Sequence, residues 1–196
     1  MGDSPEMGPS FGTLAQVGIV VRDLDRNAQQ LGEIFGIGPF RELLYPPPTL
    51  TDARRFYHGQ PSEFRVRLAF ANVGPLELEL IQPLGGGDTI WQDFLDEHGD
   101  GIHHLRFNVA GIQETTDYLA GFGIPIAQEG AGTRPGTTYR YYGCEHLTGF
   151  CIEALDLAAA KAKASWEATP ATTGAAPAKA LTNQGSTPAA MFTDFM

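Results

Sequence analysis

Gln16-Val17-Gly18-Ile19-Val20-Val21 runs into Asp23 to Phe35 and Gly36, and His104-Leu105-Arg106-Phe107-Asn108-Val109 runs into Gly111 to Phe122 and Gly123. These are two copies of one pattern. Each opens with a short alternating strand. An amphipathic helix follows, with Leu24, Ala28, Leu31 and Phe35 on the first stripe and Ile112 and Leu119 on the second. Asp23 is placed to cap the first helix, and Phe-Gly-Ile (35–37 and 122–124) closes both, glycine taking the left-handed turn.

The copies also end alike. Pro75-Leu76-Glu77-Leu78-Glu79-Leu80 matches Gly149-Phe150-Cys151-Ile152-Glu153-Ala154, with a carboxylate at the same place. Each half therefore reads strand, helix, strand, strand, strand. The expected class is α+β, two βαβββ modules sharing a curved, mixed sheet. The expected division is an N-terminal extension (1–11), a first module (12–84), a helical linker (85–101), a second module (102–157) and an Ala/Thr/Pro-rich tail (158–196). Too few large apolar groups occur in that tail to build a core, so it reads as a flexible extension. The span Gln16–Glu79 is 14 residues longer than His104–Glu153. The surplus is expected within Tyr45 to Pro61, as a surface loop or as a lid around Arg54 to His58.

Composition narrows the function. The chain of 196 residues carries a net charge of −10, which disfavours nucleic acid and anionic membrane surfaces. All three lysines lie beyond residue 157, so lysine-based covalent chemistry is not expected from the folded part. Two cysteines make no disulfide framework, and residues 1–10 hold neither a basic segment nor an apolar run. A cytoplasmic protein with a small-molecule substrate is the expectation.

Alternation along the strands sorts the polar residues. Glu77 and Glu79 oppose Leu76, Leu78 and Leu80. Arg65 and Arg67 oppose Val66, Leu68 and Phe70. His104, Arg106 and Asn108 oppose Leu105, Phe107 and Val109, and His103 falls on the Leu105 side. A pseudo-twofold repeat then gathers Gln16, Glu79, His104 and Glu153 on the polar side of the sheet. One imidazole, two carboxylates and an amide oxygen suit a divalent ion, Zn, Ni, Co, Mn or Mg, better than a soft thiolate-type metal. Arg65, Arg67 and Arg106 are the candidates to hold an anionic substrate; pairing with Glu77 or neighbouring carboxylates is their other role.

Residues 12–157 resemble the vicinal oxygen chelate, or glyoxalase/bleomycin-resistance/dioxygenase, superfamily. The resemblance lies in the repeat, in Gln16 to Leu24, in Leu78-Glu79-Leu80-Ile81-Gln82-Pro83-Leu84, in Gly99-Asp100-Gly101-Ile102-His103-His104 and in Ile152-Glu153. It implies a metal-bearing cup with ligands at Gln16, Glu79, His104 and Glu153. The second and third motifs look most like methylmalonyl-CoA epimerases. Those enzymes usually carry histidine at the position of Gln16 and often glutamine at that of Glu79, and they use a base on a strand that here holds Arg65 and Arg67. The Gln, Glu, His, Glu set looks more like that of lactoylglutathione lyase, glyoxalase I. Such a site polarises a carbonyl while a carboxylate, Glu153 or Glu79, removes a neighbouring proton, giving isomerisation, epimerisation or elimination through an enolate. A non-catalytic, resistance-type binding cup is the third reading. The cup closes either within one chain or across a homodimer.

Overall fold

The computed structural model describes residues 11–50, 53–133 and 137–156. The tail expected at 158–196 and nearly all of the N-terminal extension lie outside the described residues. In chain order the elements are β1 (Leu14–Val20), α1 (Leu24–Phe35), β2 (Arg41–Tyr45), β3 (Arg55–Tyr57), β4 (Gln60–Pro61), β5 (Val66–Val73), β6 (Leu76–Pro83), α2 (Ile90–His98), β7 (Gly101–Val109), α3 (Ile112–Ala120), β8 (Ile126–Ala131), β9 (Thr138–Tyr142), α4 (Glu145–Thr148) and β10 (Cys151–Asp156). One mixed sheet holds every strand, in the order β2-β5-β6-β1-β7-β10-β9-β8-β3-β4. β1 and β7 run antiparallel at its centre, and each is flanked by the last strand of its own half in parallel, β6 beside β1 and β10 beside β7. That symmetry is the sequence repeat in three dimensions.

The helix signals act as expected at α1. The Asp23 carboxylate accepts from the Arg26 N–H, and Gly36 ends the helix at φ 68°. α3 is shorter than the Gly111–Phe122 span expected: it stops at Ala120, and Gly123, at φ 73°, takes the left-handed position in the turn after it. Three apolar clusters divide the two sides of the sheet. α1 packs its Leu24 with Val21, Ala69 and Leu80 on the outer face of the first half. α3 packs its Leu119 with Val109, Tyr142 and Ala154 on the outer face of the second. The third and largest fills the concave side, where Ile90, Trp91 and Leu95 of α2 meet Val66, Leu68, Phe70, Ile81, Tyr139 and Tyr141.

This distribution corrects one expectation. The concave face of β5 is its apolar face, because Phe70 pairs with Glu79 across the β5–β6 ladder and paired residues share a side. Arg65 and Arg67 therefore stand off the cup. Arg67 reaches over the outer face to Asp25 on α1 (2.7 Å) and to Glu42 (2.8 Å), and Arg65 is exposed at the foot of the strand. Sequence alternation finds the two faces of a strand but does not say which is concave when both sides are covered.

The extra residues of the first half do not form a plain loop. β3 pairs antiparallel with β8, adding a first-half hairpin to the edge of the second half's sheet. Arg55 on this hairpin is buried, paired to Glu63 at 2.7 Å and held over the Phe64 ring. At the far end the Tyr45 hydroxyl donates to the carbonyl of Ala131 (2.6 Å), tying β2 to the end of β8.

Candidate metal centre

The central strands bring Glu79 and His104 together through Gly18. The Cα of Gly18 pairs with Glu79 on one side and with His104 on the other. A methyl group at Gly18 would stand inside the His104 imidazole. A glycine is thus the condition for that ring to lie flat across β1. Glu153 arrives from β10, two residues along from Cys151, the register partner of His104. His104 Nε2 lies 3.2 Å from Glu153 Oε2 and 3.5 Å from Glu79 Oε2, and all three side chains are buried. Donor atoms of the three residues fall within 4.8 Å of one another. Because Glu79 belongs to one half and Glu153 to the other, a single chain closes this cluster.

The β1–β7 ladder carries a register irregularity between Gly18 and Ile19, opposite His104 and Ile102. Such a bulge breaks strict alternation. His103 therefore does not point away with Leu105. It is buried, 5.2 Å edge-on from the Phe94 ring and 6.1 Å from Tyr141. Burial, and the neighbouring His104, hold its pKa well below the ordinary value, so it is neutral. His104 Nδ1 lies 3.2 Å from His103 Nδ1, leaving His104 Nε2 turned to the carboxylates. Burial alone would lower the His104 pKa; Glu153 and Glu79 outweigh it and raise it to about 9. For Glu79, burial raises the pKa and His104 opposes the rise.

Gln16 is fully buried and in register with Glu77 on one side and Arg106 on the other. Its amide nitrogen donates to Glu77 Oε1 at 2.9 Å, and its Oε1 has no hydrogen-bond partner. Arg106 also donates to Glu77 Oε1, at 3.2 Å. Desolvation would lower the Arg106 pKa, but Glu153, Glu77 and Glu79 hold the guanidinium charged. Of the three arginines expected to face a substrate, only Arg106 lines the cavity.

That cavity measures about 130 Å³, on the scale of the ~150 Å³ apolar cavity that accepts benzene. Its acidic wall is Glu77, Glu79 and Glu153. Beside these stand Tyr45, Phe70, Trp91, Tyr139 and Tyr141, with Arg41 also lining it. The Tyr141 ring lies 4.9 Å edge-on from His104 and packs at 5.6 Å on Trp91 and 5.5 Å on Tyr139. Sequence pattern assigns the Tyr139-Arg140-Tyr141-Tyr142 run no role. Alternation puts Tyr139 and Tyr141 on one face, but nothing in that pattern says the face is this one. Trp91 belongs by sequence to the buried stripe of a linker helix; its place in the cavity wall depends on where α2 docks.

The donor set fits a divalent cation. Gln16 Oε1 is buried without a hydrogen-bond partner, and an orphaned buried group of this kind is costly unless a ligand satisfies it, while His104 Nε2 faces only the carboxylates of Glu153 and Glu79. One imidazole nitrogen with carboxylate oxygens is a borderline-to-hard donor set, suited to the ions named above rather than to soft metals.

Residues 15–143 match the family model of the Glyoxalase/Bleomycin resistance protein/Dioxygenase superfamily, and the chain belongs to that superfamily. Among curated proteins it is 29% identical over 91 residues to the mitochondrial methylmalonyl-CoA epimerase of Bos taurus, a match covering 41% of this chain and 52% of the relative. It is 30% identical over 82 residues to the uncharacterized protein YqjC of Bacillus subtilis, covering 37% of this chain and 58% of that one. These matches thus span little more than half the length of either relative. Among solved structures, methylmalonyl-CoA epimerase from Mycobacterium tuberculosis superposes with a TM-score of 0.55 at 22% identity, covering 79% of this chain and 97% of that one. At that identity the likeness concerns the fold. Among the described residues no helix is long and apolar enough to cross a membrane.

Proposed function

We propose that this protein is a divalent-metal-dependent isomerase, epimerase or lyase that removes a proton next to a carbonyl of a small, anionic substrate. The buried cluster of Glu79, His104 and Glu153 carries the reading. Gln16, Glu79, His104 and Glu153 would hold the ion, whose contribution when bound is to polarise the substrate carbonyl as a Lewis acid. Glu153 and Glu79 come from opposite halves and flank His104. A carboxylate oxygen of one takes the proton from the carbon next to the carbonyl, and the electron pair passes to the carbonyl oxygen. If the other carboxyl group starts protonated, delivery of its proton to the same carbon inverts it; return of the abstracted proton to a different carbon isomerises the substrate. With a leaving group on the next carbon, the same electron pair expels it. Arg106 supplies positive charge beside the reacting atoms, and the aromatic wall limits water. The epimerase relatives favour inversion at that carbon. The Gln, Glu, His, Glu donor set favours lactoylglutathione lyase chemistry as the second reading.

The test combines metal analysis with isotope exchange. Wild type is expected to hold about one divalent ion per chain, and His104→Ala and Glu153→Ala much less. In heavy water, wild type should wash deuterium into methylmalonyl-CoA or another oxo compound. Glu153→Gln should slow that exchange roughly 100-fold or more, the usual scale of general acid–base contributions. Wild-type protein that binds no stoichiometric metal overturns the proposal. Metal with tight ligand binding but no exchange across the panel identifies a binding protein instead.

A further inference from the structure

We infer that Arg41 fixes the substrate class of this site. It selects a small monoanion whose carboxylate is separated from the reacting carbonyl by a short apolar body. The inference rests on the proposed function and deepens it. The ladder register places Arg41, Phe70, Glu79, Gly18 and His104 in one row across β2, β5, β6, β1 and β7. Neighbouring strands lie about 4.8 Å apart, so the Cα of Arg41 stands roughly 10 Å along the row from that of Glu79. The side chain is exposed at the cavity's rim, and its guanidinium carbon lies 4.8 Å over the ring of Phe70, the residue between them in the row, so the charge sits on the cavity side of the sheet. The anion and the carbonyl of a bridging ligand are therefore set about 5–10 Å apart, one to two strand spacings.

Charge balance singles out the same residue. Among the lining residues, Arg106 is matched by Glu77, and a divalent ion would be matched by Glu79 and Glu153. Arg41 makes no ion pair among the described residues and carries the remaining positive charge. A guanidinium is well suited to a carboxylate, which it can grip through two parallel N–H donors. Leu68, Phe70, Trp91, Tyr139 and Leu155 line the same cavity, so the body of a bridging ligand meets apolar groups. The cavity volume restricts that middle to a few carbons or one ring.

The test is direct binding, measured calorimetrically with 5-oxohexanoate, its neutral amide, its phosphonate analogue and pyruvate, whose carbonyl and carboxylate are adjacent. Wild type is expected to prefer 5-oxohexanoate over the amide by about 10-fold or more, the scale of a charge-assisted pair, and over pyruvate. Arg41→Leu should abolish the preference over the amide while keeping wild-type metal content, and Arg41→Lys should keep part of it. Arg26→Leu, which removes the same charge from the outer helix α1, should change nothing. Preference surviving in Arg41→Leu, tighter binding of pyruvate, or tighter binding of the phosphonate overturns the inference. The two readings fail separately, because absence of metal from wild type sinks the proposed function, whereas metal-loaded protein indifferent to the carboxylate sinks only this one.

Discussion

Loading the site with a metal must displace a proton, and the structure sets how strongly pH governs that step. In the metal-free cluster, burial alone would disfavour a charged His104, but the carboxylates of Glu153 and Glu79 at 3.2 and 3.5 Å raise its pKa to about 9. At pH 7 the imidazole is therefore protonated, and Nε2 must lose its proton before it can bind an ion. Each pH unit below 9 weakens apparent metal affinity about tenfold, so the gap between pH 9 and pH 7 is about 100-fold, or about 3 kcal/mol. Calorimetric titration with zinc or manganese at pH 6, 7, 8 and 9, in buffers of different ionisation enthalpy, reads both the slope and the protons released. About one proton should leave per ion at pH 7, the one that His104 gives up. The release should fall as pH passes 9. Affinity independent of pH from 6 to 8, or heats that coincide in all buffers, would refute the argument that the carboxylates hold a charged His104.

Metal-free protein should lose stability on going alkaline. The His104 pKa is raised from its ordinary value of 6.5 to about 9, so its contribution is complete below about 6.5 and vanishes as pH rises through 9. The Glu79 shift has the same sign, and urea titrations with chelator at pH 6 and 9.5 should differ by about 3 kcal/mol. Gly18→Ala should abolish metal binding without touching a ligand, since its methyl would occupy the place of the His104 ring, and cost about 3 kcal/mol by overpacking; retained metal stoichiometry would contradict this. Glu77→Gln takes the paired carboxylate from the half-buried Arg106 and should destabilise the protein by about 3 kcal/mol in urea denaturation; an unchanged midpoint would contradict this. Arg67→Ala, on the outer face, should leave ligand affinity within about twofold, the scale of an exposed ion pair.

How far these features can be read from sequence depends on their range. The repeat, the caps and the carboxylate pairing are local or periodic, so sequence alone places Glu79, His104 and Glu153 on one wall. It does not single out Gly18. The role of that glycine depends on His104 lying in register across β1, a relation between residues 86 positions apart. Alternation also misplaces His103, because a bulge leaves no mark on the hydrophobic pattern. It puts Arg65 and Arg67 on the wrong wall because β5 is covered on both sides, by α1 outside and by the aromatic cluster within. Arg41 carries no sequence signal for the related reason that its neighbours in the row come from other strands.

The β3–β4 hairpin has a consequence for how the chain reaches this state. Its residues belong by sequence to the first half, yet their ladder partner is β8 of the second. The central β1–β7 ladder already joins the halves, and the hairpin joins them again at the sheet's far edge. A first half made alone would leave β3 with an unpaired edge, and a second half alone would expose β8. The two repeats are thus unsuited to act as independent folding units. Opening should be a single cooperative event, with amide protons of β3 and β8 exchanging together in native-state hydrogen exchange.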